Sequence, residues 1–279
     1  MDAQLFFVGG APRSGTTWLQ QILDAHSDIC CRGEGLFQHD LADPLHALIA
    51  QRRQAIERKN LEIFRHTGGY PLPEGEDAEF LLGTAILQAL HRQTEGKAYR
   101  AVGEKTPENV FLFPRLKALF PAAKFVGIVR DPRDVLASAW HFFRGATAGK
   151  DEEAEKTAYV TTAAAVIGDG ARNMITLQDR YPGDSMIVTY EALHHTPTAI
   201  VSRLFQFLDV PDGDAIVNEC LARTAFAAQT GGRMQGEEAT RAFHRKGVIG
   251  GWEATLTPDM NALVLRELGW MFPRFGWQA

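Results

Sequence analysis

Cysteine is scarce in this chain, with three residues in all, two adjacent (Cys30, Cys31) and one distant (Cys220). They make neither a disulfide framework nor the spaced ligand set of a structural metal. Free thiols in a reducing compartment follow from that usage, so the cytoplasm is the expected location. No apolar run approaches the roughly 18 residues of a membrane-spanning helix, and the opening residues lack a basic segment followed by a long apolar stretch. Neither a membrane span nor a secretory leader is expected. An excess of positive charge is missing too: 29 Lys and Arg stand against 34 Asp and Glu, for a formal charge of -5. General attraction to nucleic acid or to an anionic membrane is thereby excluded, and any anionic ligand must be held by a local site. Internal repeats, low-complexity tracts and Pro/Gly-rich linkers are absent, so residues 1–279 read as a single domain. Among the histidines, His26, His141, His194, His195 and His244 have no metal-ligand spacing, and His141 beside Phe142 and Phe143 reads as a packing residue.

What the sequence does hold is enough apolar material for a real core, 45% of its residues. Gln4-Leu-Phe-Phe-Val-Gly9 is a compact apolar run ended by glycine, as in a buried parallel strand. Trp18, Leu19, Ile22 and Leu23 then recur at helical spacing, which predicts a helix opening near Thr16. Further strands are expected at 100–103, 124–130 and 185–189, with helical patterns at 110–120, 135–143, 159–181 and 199–208. That alternation predicts an α/β fold with a central, mainly parallel sheet flanked by helices. Residues 40–98 read as a polar, largely helical, cap-like insertion broken by a loop around Pro71–Glu76.

The glycine loop Gly9-Gly-Ala-Pro-Arg-Ser-Gly-Thr-Thr-Trp18 lies between a predicted strand and a predicted helix. Backbone N–H groups of such a loop, with the positive end of the helix dipole, form a pocket for phosphate or sulfate. Gly10 and Gly15 have the spacing of the nucleotide triphosphatase loop, but Thr16 stands where that loop carries lysine. The cation here is Arg13, inside the loop. A second candidate anion site is Arg130, at the end of a predicted strand, with Ser138 about two helical turns beyond Asp131. Asp131-Pro132 supplies a cap and first turn for the helix between them.

The string Ala11-Pro-Arg-Ser-Gly-Thr-Thr-Trp18 resembles the 5'-phosphosulfate loop of sulfotransferases that use 3'-phosphoadenylyl sulfate (PAPS). Arginine at position 13 is similar to tyrosylprotein sulfotransferases and many bacterial relatives, where cytosolic members have lysine. Ile128-Val-Arg-Asp-Pro-Arg-Asp-Val-Leu-Ala-Ser138 resembles the 3'-phosphate motif of that family, and Arg245-Lys-Gly247 its C-terminal nucleotide-binding element. The resemblance implies a P-loop NTPase-like three-layer fold and transfer of a sulfuryl group from PAPS to a hydroxyl or amine, releasing adenosine 3',5'-bisphosphate without a metal. It implies that Arg13, Ser14, Gly15, Thr16 and Thr17 hold the 5'-phosphate and sulfate, and that Arg130, Ser138, Arg245, Lys246 and Gly247 hold the 3'-phosphate. Trp18, Tyr190 and Phe226 match adenine-contacting positions. Arg133 and Asp134 read as a solvated or structural pair outside the site.

Sulfuryl transfer needs positioned cations and a base for the acceptor proton. Lys105, in Gly103-Glu-Lys-Thr-Pro107, matches a sulfate-contacting lysine of the family, but Pro107 stands where cytosolic members carry their histidine base. Glu34, placed like the glutamate base of the tyrosylprotein enzymes, is the preferred base, with Glu104 as the substitute. A small-molecule, carbohydrate or peptide acceptor, and a homodimer, stay open. Two other readings stay open as well: a P-loop nucleotide kinase and a catalytically silent nucleotide-binding protein.

Overall fold

The first strand, β1 (Gln4–Gly10), is buried from Phe6 onward, as its apolar sequence requires. A computed structural model describes residues 2–143, 152–225 and 248–279 of the chain. After β1 come α1 (Thr16–Asp24), β2 (Ile29–Arg32), a π-helical turn (Phe37–Ala42), α2 (Asp43–Glu62) and α3 (Gly75–Gln93). Next are β3 (Ala101–Lys105), α4 (Asn109–Leu119), β4 (Lys124–Val129), α5 (Pro132–Phe143) and α6 (Glu152–Arg180). The chain continues through β5 (Ser185–Thr189), α7 (Tyr190–His195), α8 (Pro197–Phe207) and α9 (Asp214–Arg223) to α10 (Pro258–Leu268) and α11 (Met271–Phe275). The α/β expectation holds, and the four predicted strands all form. Strand β2, Ile-Cys-Cys-Arg, was not expected, because four residues with two thiols carry too little β-branched or alternating signal to register.

The sheet order is β2-β3-β1-β4-β5 and every neighbouring pair is parallel. Both faces are covered. Phe7 points into a layer with Phe113, Phe125, Ala164, Met174 and Val264, while Phe6 and Val8 point into another with Leu19, Ile22, Val201 and Phe205. Each fully buried phenylalanine contributes roughly 1.5–3 kcal/mol relative to leaving it in water. The central β1 lies where the chain, having gone one way to β3 and β2, goes the other way to β4 and β5. Ligands of open α/β sheets collect beyond the carboxyl ends of the strands at such a reversal.

Within 40–98 the two long helices differ. Helix α2 buries no residue, whereas α3 sends Ala78, Leu82, Ile86 and Leu90 into the core. Glu79 of α3 accepts from Arg115 of α4, Nε at 3.0 and 2.9 Å and Nη2 at 2.7 Å, and pairs with His46 of α2 at 2.9 Å. No helix among the described residues is long and apolar enough to cross a membrane.

Candidate active site

The loop after β1 is fastened before it can bind anything. Gly10 N–H donates to the Pro107 carbonyl at 3.0 Å, and Ser14 N–H closes a turn onto the Ala11 carbonyl at 3.0 Å. The Ser14 hydroxyl, fully buried, donates to the Ile128 carbonyl of β4 at 3.3 Å. Its side chain therefore shapes the loop. Arg13 sits in the left-handed region at φ 73, a conformation costing roughly 1–2 kcal/mol for an L-residue. Gly15 follows at φ 101 and opens α1 with no side-chain cap, so the first N–H groups of the helix meet no hydroxyl or carboxylate of the cap residue. A Cβ at Gly15 would lie 2.7 Å from the Tyr190 ring. Thr16 is buried in the first turn of α1, and the Thr17 hydroxyl accepts from Lys105 Nζ at 3.5 Å.

The two predicted anion sites meet in space. Arg13 Nε donates to Ser138 Oγ of α5 at 3.4 Å, and its guanidinium lies 4.5 Å over the Phe142 ring. Arg130, just past β4, donates through Nη1 to the Arg13 carbonyl at 3.4 Å and through Nη2 to the Val248 carbonyl at 2.8 Å. Its guanidinium lies 4.4 Å over the Tyr190 ring, and Trp18 meets that ring edge-on at 5.6 Å. Burial pushes the Tyr190 phenol up, with Arg130 opposing. Tyr190 thus packs between loop and arginine as a spacer. The Arg130 Nε–H is buried with no hydrogen-bond partner among the described residues, which suits an arginine awaiting an anion's oxygen. An uncapped helix start, a cradle that a methyl would fill and an orphaned guanidinium N–H together fit a nucleotide carrying phosphates at two positions.

The chemical end of the cleft is built by β3 and the turn after β2. Lys105 Nζ, on a side chain only 5% exposed, donates to Glu34 Oε1 at 2.5 Å. Gly33 lets this happen: a Cβ there would sit 2.6 Å from the Lys105 carbonyl and 3.0 Å from its Cε. Glu104 is differently employed. Its Oε1 accepts from Gly35 N–H at 2.7 Å and Thr106 Oγ1 at 2.5 Å, and its Oε2 from Asn109 Nδ2 at 2.8 Å. Burial raises its pKa, with those donors opposing. Glu104 pins the turn that carries Glu34, while the Glu34 side chain stays 41% exposed beside Lys105.

Sequence reasoning misread one pair. Arg133 is bound to Asp131, at 2.7 Å, and Asp134 is paired instead with Arg130 at 3.4 Å, one helical turn away. That i, i+4 spacing was the signal that could have found it. His141 bonds Thr255 Oγ1 at 3.0 Å, and no metal-like cluster occurs among the described residues. Phe226, Arg245, Lys246 and Gly247 lie outside the described residues. A separate cleft of 710 Å³, lined by Ala3, Leu87, Arg100, Phe120 and Ala123, opens at the amino ends of the strands, away from these groups.

Known proteins resemble this chain in sequence and in fold. A Caenorhabditis briggsae protein assigned as a protein-tyrosine sulfotransferase is 30% identical over 209 residues, 74% of this chain and 66% of that protein. Protein-tyrosine sulfotransferase 1 of Danio rerio is 28% identical over 222 residues, 78% of this chain and 56% of that protein. The chain thus spans less than two thirds of the length of these relatives. The crystal structure of mouse sulfotransferase SULT7A1 complexed with PAP superposes with a TM-score of 0.58 at 15% identity, covering 98% of this chain and 84% of that one, a likeness of fold. Residues 6–214, which run from β1 through both candidate anion sites, match the profile described as "Sulfotransferase family", and the chain belongs to that family.

Proposed function

We propose that the protein transfers a sulfuryl group from PAPS to a hydroxyl, or an amine, of an acceptor. The observation that carries this reading is the junction of two anion sites through Arg13 and Ser138, with Lys105 and a half-exposed carboxylate at one end. The loop after β1 would hold the 5'-phosphosulfate and Arg130 with Ser138 the 3'-phosphate. Trp18 would lie against the base, with Tyr190 packed behind it as the spacer.

Glu34 would take the acceptor proton as the acceptor oxygen attacks sulfur. The new S–O bond forms as the bond from sulfur to the 5'-phosphate oxygen breaks, and the electron pair leaves with adenosine 3',5'-bisphosphate. Arg13 and Lys105 would neutralise the charge gathering on that leaving group. As proposed, the step draws its positive charge from side chains and needs no metal. The names of the sequence relatives point to a peptide tyrosine as the first acceptor to try. A cytoplasmic setting is part of the reading, supported by three free, buried thiols.

The test is calorimetric titration with adenosine 3',5'-bisphosphate and with adenosine 5'-diphosphate, both without metal. Strong preference for the 3',5'-compound is expected. Equal or weaker binding would overturn the donor assignment and favour a nucleotide kinase.

A further inference from the structure

Asp134, left out of the site by sequence reasoning, is 2% exposed and faces three partners at once. Its Oδ2 accepts from Gly250 N–H at 2.9 Å and lies 3.4 Å from Arg130 Nη2, and its Oδ1 accepts from Trp252 N–H at 3.1 Å. Arg130 Nη2 also donates to the Val248 carbonyl at 2.8 Å. A buried carboxylate thus joins a helix of the sheet domain to a chain segment more than a hundred positions later. The neighbouring residues reinforce that joint. Arg133 is sandwiched between the rings of Trp252 and Phe272 at 4.4 and 4.7 Å, and donates to the Gln278 carbonyl at 2.6 Å. Glu191 accepts from Asp131 N–H at 3.0 Å and from Trp277 Nε1 at 2.9 Å.

Arg133 holds the C-terminal segment through contacts of its own, with Trp252, Phe272 and the Gln278 carbonyl. The Asp134 carboxylate does something else: it fixes one end of the Arg130 guanidinium, whose Nε–H has no partner among the described residues. Arginine carries five donors in a rigid plane, so fixing Nη2 also fixes the direction of Nε–H and Nη1. We propose that Asp134 is a positioning residue for the donor nucleotide, aiming Arg130 at the 3'-phosphate and coupling that aim to the Val248–Trp252 segment. This rests on the donor reading given above. It implies reciprocity, since a ligand that engages Arg130 must tighten the Asp134 contacts with Gly250 and Trp252.

Asp134→Asn keeps the volume and one acceptor oxygen but removes the charge. Affinity for adenosine 3',5'-bisphosphate should fall about tenfold or more, as when a buried charge loses its partner, while affinity for adenosine 5'-monophosphate changes less than about twofold. In turnover, KM for PAPS should rise with kcat nearly kept. A variant weakened only in its folding would lose both nucleotides alike, and that result overturns the proposal. So does a variant that keeps the full 3'-phosphate preference. If the unaltered protein itself shows no such preference, the donor reading is the one that fails. Should Asp134→Asn not fold, hydrogen exchange on the unaltered protein decides. Amides of Gly250 and Trp252 should exchange more slowly with the 3',5'-bisphosphate bound but not with the 5'-monophosphate, and equal protection by both would sink the coupling.

Discussion

Replacing Glu34 by glutamine separates chemistry from binding at this site. The amide matches the carboxylate in size, and its oxygen can still accept from Lys105 Nζ, which now lies 2.5 Å from Oε1. What is lost is the proposed base and one negative charge. A positioned general base is worth about 10²–10⁴-fold in rate, or about 2.7–5.5 kcal/mol of barrier. The stability cost is far smaller. Breaking a fully buried ion pair costs about 3–5 kcal/mol, and an exposed one about 0–1 kcal/mol. Here Lys105 is 5% exposed and Glu34 41%. The retained hydrogen bond then brings the cost to about 1 kcal/mol, which for a chain of this size lowers Tm by about 2–4 °C. A protein with the usual ~5–15 kcal/mol of stability stays folded through that loss, so unfolding could not produce the drop in rate. The assay is steady-state sulfuryl transfer from PAPS with the donor KM followed alongside kcat, and titration of adenosine 3',5'-bisphosphate as a binding control. Turnover should fall at least about 100-fold at unchanged nucleotide affinity. A kcat within threefold of the unaltered protein would refute Glu34 as the base.

The remaining predictions concern Glu104, Gly15 and Glu79. Glu104→Gln places an amide N–H₂ among three donors in a buried site, so it should destabilise the fold by about 1–3 kcal/mol; chemical denaturation measures it, and a neutral result would mean that Glu104 does not hold the Gly35 turn. Gly15→Ala must put a side chain at φ 101 and 2.7 Å from Tyr190, costing about 1–2 kcal/mol before any clash. It should weaken nucleotide binding, whereas Gly183→Ala, with nothing within 4 Å, should leave binding alone; a binding-neutral Gly15→Ala would remove the loop from the site. Hydrogen bonds from Arg115, ahead of those from His46, hold the Glu79 carboxyl below the usual carboxylate range. Stability from this group is therefore present above the ordinary carboxylate pKa and is lost as pH falls through the depressed folded value. The urea midpoints of the unaltered protein and Glu79→Gln should converge on acidification, and a gap independent of pH would show that the charge of Glu79 is not what the clamp on α2 and α3 depends on.

The sequence by itself determined the elements whose signal is local. An apolar run ended by glycine marked β1, the apolar run before Arg130 marked β4, helical spacing of Trp18, Leu19, Ile22 and Leu23 marked α1, and Arg13 in the glycine loop with Arg130 at a strand end marked two candidate anion sites. These are readable because strand and helix periodicity, and the conformational demands of a phosphate-binding turn, are written within a few residues of each other. Tertiary structure decided what depends on partners far apart in the chain. It made a strand of Ile-Cys-Cys-Arg by pairing it with β3, and buried α3 but not α2. Two glutamates of similar promise were separated by burial: Glu104 meets Gly35, Thr106 and Asn109 inside, while Glu34 reaches the cleft beside Lys105. Asp134, adjacent to Arg133 in sequence, pairs with Arg130 and with backbone N–H groups from the far end of the chain. A charge chooses its partner by distance and desolvation, and both are fixed only when the chain has folded.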